Sequence, residues 1–171
     1  VDAVIDDAIG AGDIPGAVLA VVRRNDIVYL KAYGNKSVVP DTVPMTVETM
    51  FDLASLSKCV GTTLSFMQLI DGGYVRLTDP VKRYIPGFKP WKDPETGEEV
   101  DIILRDLLTH SSGLSAYYDA DLFVERFGTN QPDSLMRVIA TEVDRHFRPG
   151  SDFLYSCLNF ITLQNILETV T

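Results

Sequence analysis

Residues 51–61 read Phe51-Asp52-Leu53-Ala54-Ser55-Leu56-Ser57-Lys58-Cys59-Val60-Gly61, and this stretch decides how the rest of the chain is read. Ser55 and Lys58 stand three apart at the head of an apolar run, a spacing that puts both side chains on one helical face. From Ser55 to about Asp71 the pattern is helical, with Val60, Leu64, Met67 and Ile70 recurring at steps of three and four. Gly72-Gly73 then ends it. A serine in the first turn faces unpaired N–H groups and the positive end of the helix dipole, which favour developing negative charge. A helix this apolar is expected to be buried. A lysine held in such a dry place loses its proton more readily and can act as base toward a neighbouring hydroxyl. Ser-x-x-Lys can therefore be a self-contained nucleophile–base pair. The same spacing also arises from an ordinary N-cap serine with a solvated lysine one turn on.

Upstream, residues 1–10 carry Val1, Val4, Ile5, Ala8 and Ile9 at helical spacing, and Gly10 and Gly12 close that helix. Ala17–Arg23 is a nearly continuous apolar run, the pattern of a strand covered on both faces. Asn25-Asp26 turns the chain, Ile27–Tyr33 reads as the partner strand, and Gly34 to Pro44 reads as loop. Downstream, Pro80, Pro86, Pro90 and Pro94 divide a region of short helices and loops. Residues 103–108 and 134–145 read as further short helices, and Leu158–Val170 as a longer one. The order implies a sheet layer beside a helical region. A lone hairpin is marginally stable, and the second half offers no strands to complete it, so the sheet reads as cut short.

Composition narrows the function classes. The 171 residues carry 15 basic and 24 acidic side chains, a net charge of −9. So acidic a body repels phosphate backbones, which excludes nucleic acid as a partner. The apolar stretches Ile14–Val22 and Cys59–Ile70 fall well short of the roughly 20 residues that cross a bilayer, so no transmembrane segment is expected. The chain opens on Val1 with no charged-then-apolar leader, as expected of a processed product. Cys59 and Cys157 make no disulfide scaffold. With His110 and His146 they are scattered without ligand spacing, so neither a metal nor a cofactor is expected. Both histidines are expected to pack or hydrogen-bond rather than to serve as a triad base.

Four segments occur in order: 46–58 (TVETMFDLASLSK), 68–88 (QLIDGGYVRLTDPVKRYIPGF), 107–114 (LLTHSSGL) and 149–156 (PGSDFLYS). Together they closely resemble the serine beta-lactamase-like family of class C beta-lactamases, D-alanyl-D-alanine carboxypeptidases and related esterases, across nearly the whole chain. The resemblance implies an α/β fold of the α+β type, an antiparallel sheet flanked by helices with a helical region inserted. It implies Ser55 as the acylated nucleophile, Lys58 as its base-side partner and Tyr155 as a second proton shuttle. It also implies a small-molecule or peptide substrate (a beta-lactam, a D-Ala peptide or an ester) and an exported protein, periplasmic or extracellular.

Two departures accompany it. The family's Tyr-x-Asn element reads Tyr155-Ser156-Cys157, so a thiol stands where an amide would meet substrate. That shifts weight from a beta-lactamase toward an esterase- or peptidase-like branch. Asn159, two residues on, is not expected to fill the role. The family's third motif, a Lys/His-Thr/Ser-Gly strand, has no match after Tyr155. In the family that strand supplies an oxyanion-hole N–H, whose loss typically costs ~100- to 1000-fold in rate. Residues 1–171 are thus expected to be the N-terminal, mostly helical part of one such domain: helix and first hairpin over 1–45, nucleophile helix and helical region over 46–171. Weak or no activity alone follows. So does possible self-association through the incomplete sheet. The alternative is a non-catalytic binding or assembly module that keeps the fold.

Overall fold

A computed structural model describes all of residues 1–171. The chain divides into two compact units, Val1–Leu53 and Ala54–Thr171.

In the first unit, helix α1 (Asp2–Ala11) ends on Gly12, whose φ of 81° only glycine adopts without strain. Strands β1 (Gly16–Arg23) and β2 (Asp26–Ser37) form an antiparallel hairpin, with Val18 opposite Ala32. A short strand β3 (Val43–Pro44) pairs with Asn35 and Ser37 of β2, giving the order β1-β2-β3. The stretch from Gly34 to Pro44 is therefore not all loop. The second strand runs past Tyr33 because Gly34 and Gly16 let the two backbones close up: a Cβ on Gly16 would lie 2.4 Å from the Asn35 carbonyl oxygen. No residue of β1 is buried, which corrects the expectation of a strand covered on both faces. The Asp2 carboxylate ties α1 to the sheet, accepting from Tyr29 at 2.5 Å, Tyr33 at 2.8 Å and Lys31 at 2.9 Å.

The second unit is helical. Its core gathers Phe66 and Leu69, Leu104 and Leu107, Val138 and Ile139, and Leu163 and Ile166 from four helices. These are α2 (Leu64–Asp71), α3 (Leu104–Leu108), α5 (Pro132–Thr141) and α6 (Cys157–Val170). Helix α4 (Ala120–Phe127), unforeseen in the sequence, starts on Asp119, whose carboxylate accepts the Leu122 N–H at 2.9 Å. A second missed element is the hairpin β4 (Trp91–Lys92) and β5 (Glu99–Val100), turned at Gly97 with φ 75°. It pairs only with itself and adds nothing to the first sheet.

The region around Ser55 departs most from expectation. Residues 55–71 are not one helix but a 3₁₀ turn (Ala54–Leu56), a π-helical turn (Lys58–Thr63) and then α2. Nor is the segment buried all round. Phe66 and Leu69 enter the core while Val60, Leu64 and Met67 stay exposed. The chain is 40% helix and 18% strand, the mixed composition the motifs imply.

Candidate active site

Ser55 lies within the 3₁₀ turn, directly after Ala54, whose φ of 42° is in the left-handed region that a side chain disfavours. Lys58 opens the π-helical turn, and its carbonyl oxygen accepts the Thr63 hydroxyl at 2.9 Å. The wider π turn, a feature often found at functional sites, carries the lysine back over the serine. Lys58 Nζ donates to Ser55 Oγ at 3.1 Å.

Tyr155 comes from the extended segment just before α6, and residues 110–116 hold that segment in register. The Leu154 N–H donates to the His110 carbonyl at 3.0 Å, and the Cys157 N–H to the Ala116 carbonyl at 2.8 Å. Ser156, fully buried, donates its N–H to His110 Nδ1 at 3.1 Å and its hydroxyl to the Ser115 carbonyl at 2.6 Å. His110 of the LLTHSSGL motif, with Ser115 and Ala116 just after it, thus cradles the tyrosine's segment. The Tyr155 phenol lies close enough to Lys58 and Ser55 for both to act on its ionisation. Lys58 Nζ also lies 5.2 Å from the Tyr155 ring centroid and 5.8 Å from that of Phe160.

The electrostatics divide the roles. Tyr155 is held below the usual phenol range, first by its hydrogen bond with Lys58 and then by that with Ser55. Lys58 is raised, first by the bond with Tyr155, with burial opposing and the Cys157 thiol contributing. The expected dry, depressed lysine is therefore not met. Lys58 is only half-buried, and a partner that prefers the ammonium outweighs its desolvation. This cluster favours an ammonium beside an acidic phenol.

The other singled-out residues fall into place around it. Cys157 is exposed at the first turn of α6, and its thiol is within hydrogen-bonding reach of Lys58. Asn159 is fully buried and committed elsewhere, accepting from Ser112 Oγ at 2.7 Å and lying 3.4 Å from His110 Nδ1. It does not replace the missing amide. His146 meets Ser115 Oγ at 2.9 Å, and His110 packs its ring on Tyr155. Sequence reasoning gave His110 a structural part but missed that its partner is the tyrosine. The signal was its place in the LLTHSSGL motif.

A beta-lactamase family model matches residues 1–171. The chain belongs to the beta-lactamase family. As a beta-lactamase-family chain it has relatives in both sequence and fold. A Salmonella typhi protein named by inference as a D-alanyl-D-alanine carboxypeptidase is 28% identical over 99% of this chain and 41% of its own length. The hydrolase EstCE1, described as having promiscuous acyltransferase activity, is 31% identical with a TM-score of 0.76, over 99% of this chain and 45% of its own. An octameric penicillin-binding protein homologue from Pyrococcus abyssi is 26% identical with a TM-score of 0.72, over 99% of this chain and 38% of its own. The beta-lactamase-family chain thus spans under half the length of these relatives. No helix in it is long and apolar enough to cross a membrane.

Proposed function

We propose that residues 1–171 are the N-terminal part of a serine hydrolase in which Ser55 takes up the acyl group and Lys58 with Tyr155 moves the proton. The observation that carries this reading is the hydrogen bond from Lys58 Nζ to Ser55 Oγ at 3.1 Å, with the Tyr155 ring centroid 5.2 Å from the same Nζ. A nucleophile needs a base within hydrogen-bond reach, and that base needs a third group to orient it. The depressed phenol is the better base, and the ammonium of Lys58 holds its anion in place.

In the forward step Ser55 Oγ bonds to the acyl carbon as its proton passes to the Tyr155 oxygen. The bond to the leaving group then breaks, and that proton moves onto the departing oxygen or nitrogen. Water next attacks the acyl-enzyme carbonyl, gives one proton to the same relay, and Ser55 leaves with it restored. The substrate class is an ester, a D-Ala peptide or a beta-lactam. Cys157 at the amide position favours the ester and peptide branch.

This half of the fold is proposed to be weakly active or inactive alone, in an exported protein. Self-association would use the sheet, whose outer strands β1 and β3 are open edges. Labelling with a fluorescent penicillin and a fluorophosphonate, on this chain and on the longer protein it is proposed to open, tests the reading. Labelling lost in Ser55→Ala supports it. If the longer protein neither labels at Ser55 nor hydrolyses nitrocefin or p-nitrophenyl esters, the non-catalytic module takes its place.

A further inference from the structure

Beside the Ser55 cluster lies a cavity of about 240 Å³ that the proton relay does not use. Tyr118, Phe123, Leu135, Cys157, Leu158 and Ile161 form most of its wall, drawn from α4, α5, α6 and the segment before α4. Every residue lining it is aliphatic, aromatic or a thiol. In a chain with 39 ionisable acidic and basic side chains (24 + 15), a wall free of formal charge selects for a neutral, apolar occupant.

The wall is held in shape. The Tyr118 hydroxyl accepts from Arg126 at 2.9 Å, and Arg126 is itself paired with Glu142 at 2.8 Å. The Tyr118 ring meets Phe123 edge-on at 6.3 Å, and Phe123 packs on Phe127 at 5.1 Å. Only one lining residue also belongs to the reacting cluster. Cys157 contributes to the cavity wall, opens α6 and is fixed there by its N–H, which donates to the Ala116 carbonyl at 2.8 Å. Cys157 stands two residues after Tyr155 in the chain, so its share of the wall places the cavity next to the reacting cluster. An amide at 157 would put a strongly polar group at that junction; a thiol is small and nearly apolar.

We propose that this cavity receives the acyl group of the substrate, making the enzyme selective for esters or amides of neutral, apolar carboxylic acids, with Cys157 as the junction residue. The proposal rests on Ser55 being the nucleophile and adds the substrate class to that reading. A cavity of roughly 150 Å³ accommodates benzene, so this one holds a linear or aromatic acyl group of six to eight carbons. Each methylene moved from water into it should raise kcat/KM by about fourfold, the worth of one buried CH₂.

The test is a p-nitrophenyl ester series from acetate to octanoate on the longer protein, run beside fluorophosphonate labelling. The expected result is kcat/KM rising from acetate to hexanoate by about fourfold per methylene, with Ser55 labelled. Ala120→Trp and Ile161→Trp, at exposed positions on the wall, should each lower the hexanoate-to-acetate ratio at least tenfold. Cys157→Asn should lower that ratio too. A flat or falling series with Ser55 still labelled overturns the cavity assignment and leaves the nucleophile reading standing. Wall variants that melt like wild type yet depress acetate and hexanoate equally also overturn it. Absence of Ser55 labelling and turnover overturns both.

Discussion

The His110 imidazole lies 4.4 Å from the Tyr155 ring, tilted by 35°, with Phe160 at 5.2 Å and Phe153 at 6.0 Å completing its surroundings. Its Nδ1 accepts the Ser156 N–H, so the ring is neutral with its proton on Nε2. Burial lowers its pKa below 6.5, and the Lys58 ammonium pushes the same way. Protonating Nδ1 would set it against the Ser156 N–H and the Asn159 amide. The unfolded chain then binds the proton more readily than the folded one, so stability rises with pH across the window below 6.5 and is level above it. His110→Phe keeps a ring under Tyr155 but orphans the buried Ser156 N–H, an expected loss of about 1–3 kcal/mol at pH 7.5. Urea midpoints at pH 5 and pH 7.5 check both points. An unchanged midpoint in the variant, or a gap between the two proteins that does not narrow at pH 5, would count against this role.

Under the proposed mechanism, the opposed shifts of Tyr155 and Lys58 would set the pH profile of acylation. As the proposed base Tyr155 must be ionised, and its pKa lies below 10, so the rate is expected to climb as pH rises toward that lowered value. In the same proposal Lys58 stays an ammonium, and its pKa lies above 10.5, so the fall on the alkaline side is expected only beyond there. Removing the lysine deletes the largest cause of the tyrosine's shift. Lys58→Ala should therefore move the acid limb upward toward 10, besides slowing the reaction. Tyr155→Phe should lower acylation by about 10²- to 10⁴-fold, the usual worth of a positioned general base. Burst-phase rates between pH 6 and pH 11 decide it. A Lys58→Ala profile that keeps its acid limb in place would sink the coupling.

Much of this arrangement could be read from the chain, because its causes are local. Helix α1 and its Gly12 stop, the β1–β2 hairpin and α6 all announce themselves through spacing and turn residues. Strand β3 did not, since two residues carry no periodicity and pairing with Asn35 and Ser37 is a tertiary event. Helix α4 was hidden because ADLFVERF spans only about two turns, too short for its apolar spacing to stand out, and no residue of it is buried. The π turn was hidden for another reason: its letters are those of an ordinary helix, and only the geometry of Lys58 over Ser55 distinguishes it. Lys58's raised pKa likewise depends on Tyr155, which lies 97 residues away (155 − 58). Motif order joined Ser55, Lys58 and Tyr155, and periodicity alone would not have done so.

Ala54 holds a φ of 42° immediately before Ser55. An alanine there costs about 1–2 kcal/mol, and glycine escapes that cost while losing more chain entropy on folding, about 0.4–1 kcal/mol. Ala54→Gly should therefore raise stability by up to about 1 kcal/mol, seen as a higher urea midpoint with an unchanged slope. The same freedom loosens the turn that carries Ser55, the proposed nucleophile, so acylation is expected to slow. A variant that is both less stable and equally fast would show that the backbone at Ala54 is unstrained.

Asp79 anchors the loop that follows α2, and its carboxylate is 8% exposed as a residue. It accepts the Tyr84 hydroxyl at 2.6 Å and the Arg76 N–H at 2.9 Å, with the Arg83 guanidinium at 3.2 Å. The Tyr84 hydrogen bond is the main reason its pKa falls below 3.8, against the opposing effect of burial. Tyr84 in turn is pushed up to about 12, by burial first and by Asp79 next. A depressed carboxyl stabilises the fold above its unfolded pKa of 3.8 and loses that contribution as pH falls through the folded value. Asp79→Asn keeps the shape but presents an amide N–H₂ to groups that donate, leaving at least one donor unmet. The expected cost is about 1–3 kcal/mol at pH 7. Because the wild-type carboxyl is protonated in acid, the gap between the two proteins should close steadily below pH 3.8. Denaturation midpoints at pH 7 and pH 3 measure it, and a gap of the same size at both would assign the loss to packing rather than to charge.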